Sequence, residues 1–127
     1  MVAIAAPAFG GGPADRARLD AERAAALETR GPPVRCLMVG EARESRLLSP
    51  QLVLVRRGAN QWFRSRLQSA CPWASPARFI AYRTTTGLVC QGDSFDVVDP
   101  ASRIRFGPCV LGEFEPVDAP EGRSARR

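Results

Sequence analysis

Hydrophobic and polar positions divide the chain into two regimes. From Pro13 to Arg30, alanines and charged residues alternate, and Leu19 and Leu27 are the only large apolar groups. Ala14, Ala17, Ala21, Ala24, Ala25 and Ala26 supply helix propensity. Pro13 suits a first helical turn and Gly31-Pro32-Pro33 stops a helix, so the pattern predicts a charged helix that ends before residue 31. Asp15/Arg18 and Asp20/Arg23 stand at i,i+3 and can pair on its surface. With no wide apolar stripe, this reads as a surface helix or spacer with no deep core face.

After Pro33 the period changes to two. Residues 51–56 form a β-rich run after Pro50, 57–60 form a turn, and 61–67 alternate. In that second run Phe63, Ser65 and Leu67 point one way, and Trp62, Arg64 and Arg66 the other. A strand over 77–86 follows, turned by Gly87 into Leu88-Val89-Cys90. Further strands are predicted over 94–98, closed by Asp99-Pro100, then over 103–106 and 110–117. Short strands at roughly 8–12-residue spacing predict a mostly β fold, a small antiparallel barrel or sandwich, with one N-terminal charged helix. No helical period survives past residue 34, which excludes a parallel α/β fold.

The expected organisation is a signal-peptide remnant or flexible tail over 1–12, a charged helix and linker over 13–33, a β domain over 34–118 and a disordered tail over 119–127. Val2 to Ala8 is apolar and ends in Ala6-Pro7-Ala8, a small-x-small pattern like a signal-peptidase site, without a basic segment before it. It reads as the back end of an export signal. No cysteine follows at a lipoprotein position, and Gly10-Gly11-Gly12 lacks the ending of a phosphate loop. A β domain of this size buries only roughly 60–65% of its unfolded surface, so its core is thin.

Cysteine spacing addresses that weakness. Cys36, Cys71, Cys90 and Cys109 are 35, 19 and 19 residues apart, with no Cys-x-x-Cys. This excludes a thioredoxin-type pair and gives no zinc knuckle. Four cysteines in a small domain behind an export-like segment read as two disulfides in a periplasmic or secreted protein. Three pairings are open; the preferred one is nested, Cys71 with Cys90 inside Cys36 with Cys109.

All 18 basic residues are arginine, and the chain holds no histidine, which removes the usual general base. No Ser-His or Cys-His couple can be built. Paired carboxylates remain: Asp93, Asp96 and Asp99 lie three apart, and Glu113 and Glu115 share one strand face. Nothing in their spacing fixes a catalytic separation, and acids near turns commonly cap them. The aspartates also lack the glycine and terminal glutamate of an EF-hand loop, so no cofactor or metal is expected.

The net charge of +5 is uneven: residues 35–90 carry nine arginines against Glu41 and Glu44, while 91–119 carry six acids against Arg103 and Arg105. These halves can neutralise each other inside one fold. The sharper expectation is an anion-binding face on the first hairpin, with Trp62, Arg64 and Arg66 on one side and Arg56 and Arg57 at the turn. An anionic envelope component or an acidic protein is the expected partner. Nucleic acid fits only the alternative of a cytosolic polyanion-binding barrel, and a hydrolase using Asp93 and a second acid ranks third.

Several short features stand in one order: Arg35-Cys36-Leu37, Trp62-Phe63-Arg64, Cys71-Pro72, Phe79-x-x-Tyr82-Arg83-Thr84, Leu88-Val89-Cys90-x-x-Asp93, and Cys109-x-Leu111-Gly112-x-Phe114-x-Pro116. Over roughly residues 35–117 the chain resembles a family of small exported bacterial proteins of unknown function, mainly alpha-proteobacterial. The resemblance implies an exported, cysteine-containing β domain and transfers no catalytic residue. A non-enzymatic envelope or interaction module is the expectation that follows.

Overall fold

A computed structural model describes residues 13–120. The export-like segment and the terminal arginines lie outside the described residues. One helix, α1 (Pro13–Ala25), precedes nine strands: β1 (Cys36–Met38), β2 (Ala42–Ser49), β3 (Leu52–Arg57), β4 (Gln61–Arg66), β5 (Phe79–Tyr82), β6 (Leu88–Cys90), β7 (Ser94–Val98), β8 (Arg105–Val110) and β9 (Phe114–Val117). They form a four-stranded sheet β2-β3-β4-β9, a three-stranded sheet β5-β7-β8 and a ribbon β1-β6, all antiparallel. The sheets do not close into a barrel; the architecture is a small sandwich.

The predicted hairpin is present, with Val55 opposite Phe63 and Leu54 opposite Arg64. Leu52 to Val55 are all buried because both faces of this sheet are covered. Val53, Val55, Phe63 and Phe114 face the main core, where they meet Phe95, Val97 and Leu111. Leu52, Leu54, Trp62 and Val117 face a second cluster closed by Ala24 of α1. Ser45 Oγ and the Tyr82 hydroxyl, 2.6 Å apart, tie β2 to β5.

Four expectations change. First, α1 stops at Ala25, and it is packed: Ala24 is buried because its small side chain lets the helix approach β2 and β3. The linker after it runs antiparallel beside β9 through the bridges Thr29–Val117 and Val34–Phe114, covering that sheet edge. Helix and linker are therefore part of the fold rather than a spacer, and Ala119, expected in a disordered tail, packs on the second cluster.

Second, the expected strand over 77–86 is only four residues long, and Gly87 does not fold it back on itself. β5 pairs β7, whereas β6 pairs β1. Third, the 110–117 run is broken at Leu111-Gly112-Glu113, where β8 ends and the chain crosses to the other sheet as β9. Backbone separates these runs where side-chain alternation does not.

Fourth, the cysteines pair as Cys36–Cys90 and Cys71–Cys109, not nested. Cys36 and Cys90 sit directly opposite on β1 and β6, which the nested pairing would separate. Cys71 and Cys109 lie buried in the main core. Two disulfides and no free cysteine suggest an oxidising environment. Among the described residues, no helix is long and apolar enough to cross a membrane.

Candidate functional site

Alternation does place Trp62, Arg64 and Arg66 on one face of β4, but the first two are not at the surface. Trp62 is 5% and Arg64 3% exposed. Leu54 opposite Arg64 and Val117 opposite Trp62 make this face apolar enough to need a cover, and α1 supplies it. Arg64 donates from Nε to Glu115 Oε1 at 2.8 Å. Its Nη1 donates to the carbonyls of Ala24, Ala25 and Leu27 at 3.0, 3.0 and 2.8 Å. Ala24 and Ala25 close the last turn of α1 and Leu27 follows two residues beyond it, so a cation here also meets the negative end of the helix dipole. Arg64 is thus a buried C-terminal cap.

The other hairpin arginines are also engaged. Arg56 donates to Glu44 Oε1 at 3.3 Å and to the Gly58 carbonyl at 2.9 Å. Arg57 donates to Gln61 at 2.8 Å and lies over the Phe63 ring. Arg46 covers Trp62, its guanidinium carbon 4.7 Å from the ring centroid, and pairs with Glu44 at 2.6 Å. No stacking surface is left on Trp62 for a base. The open basic aromatic face expected from alternation is therefore corrected to a face closed by α1, Glu44 and Glu115. Only Arg66 remains exposed, with a 3.4 Å approach to Glu115 and a 3.3 Å bond to the Ala25 carbonyl.

Electrostatics fit this internal use. Burial alone would raise the Glu115 carboxyl; the Arg64 hydrogen bond and charge, backed by Arg66, outweigh it and hold it below the ordinary glutamate value. Glu44 is lowered by its hydrogen bond to Arg46, against burial, with Arg56 adding to the effect.

Each aspartate considered for chemistry does structural work. Asp93 accepts from the Cys90 N–H at 2.8 Å. Asp99 accepts from the N–H and hydroxyl of Ser102, both at 2.9 Å, and closes a turn. Asp96 is buried between Arg83 and Arg105, whose Nη2 atoms stand 2.8 and 3.3 Å from Oδ1 and Oδ2. The β7–β8 register slips there, setting Gly107 and Pro108 against Asp96. Glu113 is exposed and precedes β9, so it shares no strand face with Glu115. Among the described residues no cluster of three His, Cys, Asp or Glu is placed to hold a metal.

Two concavities flank α1. On one side a groove of about 790 Å³ runs between Ala17, Ala21 and Ala25 of the helix and Leu48 and Leu52 of the sheet, with Leu67 just after β4. Arg18, Glu22 and Arg66 supply its charges. On the other side a cleft of about 520 Å³ is lined by Asp20, Arg23, Glu44, Arg46 and Arg78. Glu44 and Arg46 are paired with each other there, and Arg78 with Asp99. The groove was not legible from the sequence, since it exists only because α1 docks. Its one signal is the i,i+4,i+8 run of alanines, which marks a helix face able to approach another surface closely.

Family models, curated proteins and solved structures were compared with the chain, and none matches.

Proposed function

We propose that this protein is a non-enzymatic interaction module of the periplasm or the extracellular space, and that its binding element is the groove beside α1. The observation that carries this reading is an apolar trough of about 790 Å³, of ligand-site size, with an exposed guanidinium from Arg66 among its charges. Such a trough suits an amphiphilic anion, an acyl chain lying against the alanines with an acidic headgroup near Arg66. The partner expected for the hairpin, an anionic envelope component, thus moves from the sheet face to the groove at its side. Two disulfides support export over the cytosolic alternative, and a Trp62 covered by Arg46 and the helix side weighs against base stacking there.

Titration calorimetry with dodecyl phosphate below its micellar range tests the reading. Saturable uptake is expected, weakened by Arg66→Ser and abolished by Ala21→Trp, which fills the groove, with circular dichroism unchanged in both. No saturable uptake, or uptake indifferent to both substitutions, would contradict it.

A further inference from the structure

The two disulfides differ in access. Cys71 and Cys109 are 0% and 3% exposed and sit in the main core. Cys36 and Cys90 are half-buried on a ribbon whose strands are three residues each. In that ribbon Leu37 and Val89 are paired and point inward. Cys36, Met38, Leu88 and Cys90 therefore share the outer face. Met38 is opposite Leu88, and at 51% and 40% exposure the two form an apolar pair directly beside the disulfide. Leu19, Phe79 and Ile104 are exposed as well, but Met38 and Leu88 are the two that strand pairing sets directly opposite each other, one step from a disulfide. The pair makes no contribution to the core, and it shares no residue with the groove beside α1.

We infer that Cys36–Cys90 is a thiol–disulfide exchange site, and that Met38 and Leu88 form the shelf on which a dithiol protein docks. The partner's thiolate attacks one sulfur of the pair, forming a mixed disulfide while the other cysteine sulfur leaves as a thiolate. The partner's second thiol, deprotonated, then attacks the mixed disulfide. The partner departs with its own disulfide, and Cys36 and Cys90 each take up one proton. Two electrons pass from the partner to this chain, and the reverse sequence restores the bond. Cys71–Cys109, enclosed by core side chains, is out of reach unless the fold opens. Reduction therefore removes the covalent link between β1 and β6, which Leu37 and Val89 still anchor to the core, while the sandwich stays stapled.

Native protein treated with limiting dithiothreitol, quenched with iodoacetamide and mapped by mass tests the first part. Alkylation at Cys36 and Cys90 is expected on the order of a hundredfold faster than at Cys71 and Cys109, since only the latter require opening of the fold. Both pairs opening in step, or Cys71–Cys109 opening first, would overturn it. Reduced thioredoxin as the probe tests the shelf. Met38→Ser with Leu88→Ser should slow reduction by the protein dithiol about tenfold, as two exposed apolar side chains no longer cover the partner, and leave the dithiothreitol rate unchanged. An equal effect on both reductants, or none on either, would overturn the shelf.

Discussion

Arg64 and Glu115 face each other across β4 and β9, and the 2.8 Å bond between them lies under the last turn of α1. A guanidinium here serves one carboxylate, two carbonyls of the last helical turn and the Leu27 carbonyl just beyond it. Arg64→Met leaves Glu115 without its strongest partner and the carbonyls uncapped. Urea unfolding should show a loss of about 3–5 kcal/mol. Arg64→Lys should recover little of it, because a single ammonium cannot span the same acceptors. Arg66→Met, at an exposed position on the same carboxylate, should stay within about 1 kcal/mol of the parent. Equal losses at Arg64 and Arg66 would contradict the capping role.

Asp96 makes an acid limb of stability. Its carboxyl is held below the usual aspartate value, first by the Arg83 hydrogen bond, against burial, and then by Arg105. A carboxyl with a lower pKa in the folded state stabilises the fold above its unfolded value. That contribution is lost as pH falls through the folded value. Asp96→Asn should therefore lower Tm at neutral pH, and the gap to the parent should close below about pH 4. Glu44 and Glu115, also lowered, add to the same limb. A gap that holds constant into strong acid would exclude this account of Asp96.

Gly112 sits where the chain crosses from one sheet to the other. The Ser65 hydroxyl donates to its carbonyl and accepts from its N–H, both at 3.0 Å. A Cβ on Gly112 would overlap the Arg66 carbonyl oxygen, which is backbone and has nowhere to go. Gly112→Ala should cost about 3 kcal/mol or more by denaturant unfolding, through overpacking. Gly40→Ala, with nothing within 4 Å of the added methyl, should change stability by less than about 0.5 kcal/mol.

How far the sequence could be read follows from these residues. The β3–β4 hairpin was legible because Leu52–Val55 and the Gln61–Leu67 alternation carry strong local signals on either side of a Gly58 turn. Strand β2 was not, because Arg43-Glu44-Ser45-Arg46 lacks apolar alternation; it pairs β3 at the sheet edge with irregular register, and Glu44 is held by Arg46 on the same strand and Arg56 on the next. The basic face was misread for one reason. Alternation tells which side chains share a face but not whether another element lands on it, and α1 carries only small apolar groups there. Charge complementarity between the basic and acidic stretches was visible in outline, and Arg64–Glu115 is one of its products. The cysteine count told of two disulfides, while their connectivity depended on β1 pairing β6, which no local signal marks.

Connectivity is the point where a single measurement weighs most. In the absence of lysine, trypsin cuts only after arginine and places the four cysteines in four separate peptides, 36–43, 67–78, 84–103 and 106–123. Protein isolated without reductant, alkylated and digested, should give 36–43 linked to 84–103, and 67–78 linked to 106–123, with no alkylated cysteine. That pattern places β1 on β6, closes the main core through Cys71–Cys109, and agrees with an oxidising compartment. Linkage of 67–78 to 84–103, or four alkylated cysteines, would contradict the ribbon, the exchange site built on it and the compartment together.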